Sequence, residues 1–130
     1  MPVAIEPVAY VFRELWPQAR VTHLLDDSLP ADLTAAGSIT PAMVERFIAM
    51  ARYCQSCGAD AVLFTCSAFG TAIDAAKQAV RVPVLKPNEA ILGQFSMARA
   101  ATGIPARPGR RVLTSPHSAV ARLKQIFADR

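Results

Sequence analysis

Apolar residues recur every three or four positions in several stretches of this chain, which is the pattern of helices with one buried face. The pattern is clearest over 41–57, where Thr40 can cap the helix, Pro41 fits its first turn and Gly58 follows its end. Another helix is predicted from about residue 7 to 16, because a proline follows as a stop. The same reasoning predicts helices over 67–80, over 88–102 and from residue 115 to about 127.

Short apolar runs lie between these helices and predict strands. The run over 60–66, DAVLFTC, is almost continuously apolar, as in strands that are buried on both faces of a parallel sheet. Further strands are predicted over 20–25, 83–85 and 111–114. Strands that alternate with helices form parallel sheets through right-handed crossovers. The expected fold class is therefore α/β, with three layers in which helices flank a mostly parallel sheet.

Size and composition fit one ordered domain over 1–130, because the chain has 130 residues and a hydrophobic fraction of 52%. Charged side chains interrupt every apolar stretch before the roughly 20 residues that a membrane span needs, so no membrane association is expected. Met1 leads directly into an amphipathic pattern and not into a secretory leader. The expected location is therefore the cytoplasm.

Charge is distributed unevenly along the chain, although the net charge is only +4. Residues 1–65 carry four basic and seven acidic side chains, whereas residues 66–130 carry ten basic and three acidic ones. The basic residues are not interleaved with aromatic residues that could stack on bases, so nucleic acid is not the expected partner. Attraction for a small anion such as a carboxylate explains the same charge.

Cys66 is the main candidate for chemistry. Ligands of parallel α/β sheets bind outside the carboxyl ends of the strands, and Cys66 ends the predicted 60–66 strand. The N–H groups of the helix that begins at Ser67 would favour a thiolate there. The alternative is that Cys66 is a buried and inert thiol. Lys86 and Glu89 follow the 83–85 strand at the same edge and are candidates for the surrounding shell of the site.

Cys54 and Cys57 form a CxxC pair, a spacing found in redox and zinc sites. They lie at the C-terminal end of the 41–57 helix, where the helix dipole disfavours a thiolate. No second pair of ligands has a spacing that would complete a zinc site. Neither a redox pair nor a metal site is therefore expected.

Two histidines and two neighbouring carboxylates complete the candidate side chains. His23 and His117 could turn towards a site, but neither has a spacing that pairs it with Cys66. Asp26 and Asp27 follow a predicted strand end. Adjacent carboxylates point apart and more often accept hydrogen bonds in turns.

Several segments together resemble the aspartate/glutamate/hydantoin racemase superfamily. FTCSAFG at 64–70 and VPVLKPNEA at 82–90 are similar to the first domain of these proteins, and HLLDDSL at 23–29 and GADAVL at 58–63 fit the same members. QFSMARA at 94–100 and VLTSPHSA at 112–119 resemble their C-terminal end. The resemblance implies a racemase-like half-domain in 1–90, with a truncated second repeat in 91–130.

The resemblance implies cofactor-independent proton transfer at a carbon next to a carboxylate or carbonyl, with a small carboxylate or hydantoin-like substrate. In the racemases two cysteines face opposite sides of that carbon, and Cys66 matches the first of them. Ser67 and Ala68 stand where the family has Asn and Thr, and they are assigned to substrate binding together with Lys86 and Glu89. The second cysteine would fall near residue 94, which is a glutamine here.

Family members begin with a strand that this chain lacks and contain a whole second domain, so the chain resembles a shortened member. A missing first strand would expose a sheet edge, and we expect a homo-oligomer. Two alternatives to racemisation remain open. One is a decarboxylase or isomerase of the same superfamily that uses a single cysteine, and the other is an inactive member that binds small anions or a partner.

Overall fold

The computed structural model describes residues 4–86 and 115–129. Over these residues the chain forms helices, two short strands and one 3₁₀ turn. In chain order they are α1 (Ile5–Leu15), α2 (Leu29–Ala36), α3 (Pro41–Ser56), β1 (Val62–Leu63), a 3₁₀ helix (Ser67–Phe69), α4 (Gly70–Ala79), β2 (Val84–Leu85) and α5 (Ser115–Ala128). No helix among the described residues is long and apolar enough to cross a membrane.

The two strands pair in parallel, with Val62 opposite Val84 and Leu63 opposite Leu85. The Val62 N–H donates to the Pro83 carbonyl at 2.9 Å, and the Phe64 N–H donates to the Leu85 carbonyl at 3.0 Å. Parallel strands need a crossover between them, which α4 supplies here. The prediction of an α/β chain with parallel strands is therefore confirmed at this level.

Two separate hydrophobic clusters form the core. The α3–α4 cluster contains the buried residues Leu29, Met43, Phe47, Ala51, Val62, Phe69, Ala72, Ile73, Ala76 and Val84. The α1–α5 cluster contains Ala4, Val8, Val11, Phe12, Leu85, Ala119, Val120 and Leu123, and Leu63 packs against it. Successive residues of each strand thus enter different clusters, as expected where side chains alternate between the two faces of a strand.

Three predicted helices are confirmed with small changes. α3 has the predicted beginning, since the Thr40 hydroxyl accepts a hydrogen bond from the Met43 N–H. α1 begins at Ile5, slightly before the predicted start at Pro7. The first turn of a helix tolerates proline there because its N–H groups have no partner within the helix. α5 begins at Ser115, as predicted.

The predicted strand over 20–25 is wrong. Val21 packs against the α1–α5 cluster, but the four residues that follow it are exposed and pair with no strand in the described part of the chain. A strand needs one face against the core, and this segment does not have one.

Helix α2 is not among the predicted elements, because Pro30 and the polar residues before it indicate a loop. Pro30 instead lies in the first turn of α2, where its missing N–H has no cost. Gly37 ends the helix with a left-handed φ of 72°, and its N–H donates to the Leu33 carbonyl at 2.9 Å.

The 60–66 strand is shorter than predicted, since only Val62–Leu63 is paired. The helix predicted from Ser67 begins as a 3₁₀ turn and becomes regular at Gly70. The helix over 88–102 and the strand over 111–114 lie outside the described residues, as do Glu89 and the part of the second repeat before residue 115.

Candidate functional site

The candidate site lies at the carboxyl edge of the strand pair. Cys66 follows the end of β1 by three residues, and Lys86 directly follows β2. Because β1 and β2 are parallel and in register, their carboxyl ends are at the same edge. The structure therefore places these two predicted site residues at one end of the sheet.

Side-chain alternation places Cys66 and Lys86 on the same face. Val62 and Phe64 pack with the α3–α4 cluster, and Cys66 continues that alternation with extended dihedral angles of φ −119° and ψ 119°. Val84 belongs to the same cluster, and Lys86 is two residues beyond it. Lys86 contacts α4 from this side through Asp74, and the alternation predicts the same side for Cys66.

An aromatic contact anchors the chain on both sides of Cys66. The rings of Phe64 and Phe69 each lie 5.0 Å from the ring of Phe47 on α3, measured between centroids. Phe69 and Phe47 are buried. One of these ring contacts lies two residues before Cys66 and the other three residues after it. Together they limit how far that segment can move relative to α3.

The Cys66 thiol is free and exposed, so it is not buried as the alternative interpretation has it. Ser67 is half-buried and Ala68 is exposed, both in the 3₁₀ turn that begins directly after the cysteine. This turn continues into α4, and a helical start directs backbone N–H groups towards its amino end. A thiol, a hydroxyl and backbone donors are thus close in sequence at the sheet edge.

Lys86 contacts Asp74 of α4, a partner that the sequence does not indicate. The Lys86 Nζ lies 2.7 Å from both carboxylate oxygens of Asp74. The hydrogen bond from Lys86 lowers the pKa of Asp74 below its ordinary value. Asp74 therefore balances the charge of Lys86, and a substrate carboxylate would compete with it for that ammonium group.

The other predicted candidates are not brought to this edge by any described contact. His23 is exposed in the irregular segment before α2, and His117 is the third residue of α5. Cys54 lies in the last turn of α3 and Cys57 directly follows its end. This part of the chain leads into the amino end of β1, whereas Cys66 follows the carboxyl end of that strand. The CxxC pair is therefore at the wrong end of β1 to be the second cysteine of the site.

A polar network centred on Arg46 connects α3 with the segment before it. Its guanidinium donates to Asp26 through Nε at 3.0 Å and also through Nη2, and it donates to Asp32 through Nη1. The Ser28 hydroxyl also accepts from Nη2. The hydrogen bond from Arg46 lowers the pKa of Asp26.

Sequence reasoning does not find this network. The expectation that Asp26 accepts a hydrogen bond within its turn is met, since it accepts from the Ser28 hydroxyl at 2.9 Å. The bond to Arg46 spans 20 residues, and no spacing pattern indicates such a pair. The available signal is a charged residue directly before the buried Phe47 of α3, which the sequence does not connect to a particular partner.

The described part of the chain contains no cluster of three or more metal-ligating side chains. No three side chains of His, Cys, Asp or Glu lie together there in a way that could hold a metal ion. The groups that the described residues offer at the Cys66 edge include a thiol, a hydroxyl, an ammonium group and the Asp74 carboxylate.

Comparisons with known proteins do not identify the chain. No family model matches it, and neither the curated proteins nor the solved structures contain a match. The functional argument therefore depends on the residues and the geometry described above.

Proposed function

We propose that this protein catalyses cofactor-independent proton transfer at a carbon next to a carboxylate or carbonyl, with the Cys66 thiol as the proton-transfer group. The observation that carries the proposal is an exposed, free thiol at the carboxyl edge of parallel strands, directly before a helical turn. Ligands of parallel α/β sheets bind at this edge. The resemblance of 64–70 and 82–90 to the aspartate/glutamate/hydantoin racemases supplies the reaction class.

The finer features of the fold are part of the same proposal. A racemase-like half-domain would have three layers, with α1 and α5 on one face of the sheet and α2, α3 and α4 on the other. The contribution of alternate strand residues to two clusters supports this arrangement. A small carboxylate or hydantoin-like substrate would then lie at the outer end of β1 and β2, and the protein would act in the cytoplasm.

In the proposed reaction the Cys66 thiolate takes the proton from the substrate carbon. The electron pair of the broken C–H bond moves to the neighbouring carboxylate or carbonyl oxygen and forms an enolate. Hydrogen-bond donors near that oxygen stabilise the developing charge, and the Ser67 hydroxyl and the backbone of the 3₁₀ turn are the candidates for this role. Ala68 would contribute through its backbone alone.

Racemisation needs a second group that returns a proton to the opposite face of the carbon. Cys54 and Cys57 are at the other end of β1, so we propose that a second copy of the chain completes the site in a homo-oligomer. If Cys66 acts alone, the protein exchanges the proton on one face only and leaves the configuration unchanged.

Exchange of the α-proton tests the proposal directly. Aspartate, glutamate or a hydantoin incubated with the protein in D₂O should gain deuterium at the α-carbon, measured by proton NMR. Cys66→Ser should abolish the exchange, because a serine hydroxyl does not ionise near neutral pH and so cannot accept the proton as a base. Cys57→Ser is the matched control and should retain it. Equal exchange by the wild type and by Cys66→Ser would overturn the proposal.

Alkylation rates should show how Asp74 controls the charge at this edge. Asp74→Asn removes a negative charge that lies beside the Lys86 ammonium, so Cys66 should react faster with anionic iodoacetate relative to neutral iodoacetamide. Lys86→Gln should change this ratio in the opposite direction. A charge acts most strongly on groups within about 4–6 Å. Asp129→Asn removes a negative charge from an exposed residue outside this edge and is therefore the control. Mass spectrometry of the Cys66 peptide measures each rate, and an unchanged ratio would remove Lys86 from the site.

Binding of a protein partner without catalysis is the second candidate function. Leu24 and Leu25 are neighbours in the irregular segment before α2, and both are large apolar side chains that are exposed. Adjacent exposed leucines are more typical of a contact surface than of a solvated loop. Absence of exchange, together with a partner whose binding is lost in Leu24→Ser/Leu25→Ser, would favour this candidate.

A further inference from the structure

The last turn of α3 carries a pair of thiols that the proposed reaction does not use. Cys54 and Cys57 are both free and are one helical turn apart. Cys57 is exposed, whereas Cys54 is half-buried and packs against the α3–α4 cluster. The pair therefore has one accessible sulfur and one that is held against the core.

The backbone at this turn is closed by hydrogen bonds and does not fray. Gly58 has a left-handed φ of 79°, and its N–H donates to the Gln55 carbonyl at 3.0 Å. The Ala59 N–H donates to the Cys54 carbonyl at 3.1 Å. These two bonds form a Schellman motif, which fixes the relative position of Cys54 and Cys57.

We propose that Cys54 and Cys57 bind one monovalent copper ion between their sulfurs. Side chains three positions apart on a helix have Cβ atoms about 5–6 Å apart. A disulfide requires a Cβ separation of about 3.8 Å, so an ion that bridges the two sulfurs fits this geometry better than a direct S–S bond. Thiolates are soft ligands that select monovalent copper, which is stable with two of them.

The small number of ligands argues against zinc. Structural zinc has about four protein ligands in a tetrahedral arrangement. Within 4–86 and 115–129, no third His, Cys, Asp or Glu joins the thiol pair in a possible metal cluster. A two-ligand site suits an ion that accepts two-coordinate geometry.

Each copper ion that binds to the two thiols releases two protons, so the affinity for copper depends on pH. Two thiols and one copper ion give a bis-thiolate complex with one negative charge and release two protons. Metal ligands must be deprotonated to bind, so a lower proton concentration favours the complex. We therefore expect the affinity to rise with pH.

Tyr53 is placed to tune the site from outside the ligand pair. Its hydroxyl and the Cys57 thiol form a side-chain hydrogen bond. A hydroxyl that donates to a metal-bound thiolate spreads its negative charge. Tyr53→Phe should therefore weaken copper binding by roughly 10-fold, within the range seen for outer partners of metal ligands.

Competition with a copper chelator tests the proposal. The reduced full-length protein is titrated without oxygen with monovalent copper in the presence of bicinchoninate, whose copper complex is followed by absorbance. The wild type should take one ion per chain. Cys54→Ser and Cys57→Ser should each lose more than the roughly 100-fold that the loss of an outer partner can cost. Cys66→Ser is the matched control and should bind like the wild type.

Three other results would overturn the assignment of one copper ion to Cys54 and Cys57 of the same chain. Equal loss in Cys66→Ser would show that the thiols bind copper without regard to position. Displacement of copper by excess zinc would show a tetrahedral site completed by other ligands. Sedimentation should show no change in mass on copper addition, and copper-dependent dimers would place the ion between two chains. Cys54→Ala, checked by circular dichroism, replaces Cys54→Ser if the polar substitution disturbs the core.

Discussion

Phe47→Ala will destabilise the protein by about 3–5 kcal/mol, the usual cost of removing a buried phenylalanine side chain. Phe47 is 3% exposed, and its ring contacts both Phe64 and Phe69. Removing it deletes both contacts and leaves a cavity where α3 meets the strand before Cys66. A small domain has only about 5–15 kcal/mol of stability in total, so this single change removes a large part of it.

Urea denaturation followed by circular dichroism measures this loss. Tyr10→Ala is the matched control, because Tyr10 is an aromatic residue of helix α1 that is 57% exposed. Its cost should be within about 0.5 kcal/mol, as for most surface substitutions. If Phe47→Ala does not fold, Phe47→Leu provides a smaller cavity in the same place. A loss below about 1 kcal/mol in both variants would contradict the packing of the three rings.

Arg46→Met will remove the polar network that connects three segments of the chain, at a cost of about 1–3 kcal/mol. The methionine keeps the apolar stem of the side chain but not the guanidinium, so Asp26 and Asp32 lose their common donor. Arg13→Met is the matched control, because the Arg13–Glu6 pair has both side chains largely exposed, at 63% and 64%. An exposed pair of this kind contributes about 0–1 kcal/mol.

The pH dependence of stability will separate the Arg46 charge from its packing. The hydrogen bond from Arg46 lowers the native pKa of Asp26 below its ordinary 3.8, so the unfolded chain binds the proton more readily. The contribution of this pair is therefore present above the ordinary aspartate pKa and is lost as the pH falls through the lowered native pKa. The stability difference between wild type and Arg46→Met should shrink below about pH 4.

Asp74 also has a lowered pKa, because Lys86 donates to it, and it contributes to the acid sensitivity of both proteins. Its contribution cancels when the wild type and Arg46→Met are compared at each pH. Denaturation series from neutral to acidic pH, extending below the ordinary aspartate pKa, provide the measurement. A stability difference that is constant over this range would show that Arg46 acts through packing alone.

Local signals in the sequence are sufficient for most helices and for the position of Cys66. Thr40 and Pro41 determine the start of α3 through capping and backbone geometry, which depend only on neighbouring residues. The apolar run that ends at Cys66 likewise predicts a buried strand followed by a helical turn, and both are present in shorter form. These features depend on interactions within a few residues, so a pattern can reveal them.

The segment over 20–36 shows where local signals fail. Its β-branched beginning indicates a strand, and its polar residues and Pro30 indicate a loop, but the chain is irregular up to Ser28 and helical from Leu29. Propensity for a strand becomes a strand only when a neighbouring strand and a buried face are available, and the described fold supplies neither for Thr22–Leu25. The docking of Leu29 into the α3–α4 cluster instead favours a helix at this place.

The position of Cys66 after a buried strand and before a helical turn can be derived from the chain's local pattern, because both elements arise from neighbouring residues. The surroundings of Cys66 cannot be derived in this way. The pairing of β1 with β2 brings Lys86 to the same edge, and the packing of α4 gives that lysine the Asp74 carboxylate as its partner. Contacts between residues that are distant in sequence depend on the packing of whole elements, and no local spacing encodes them.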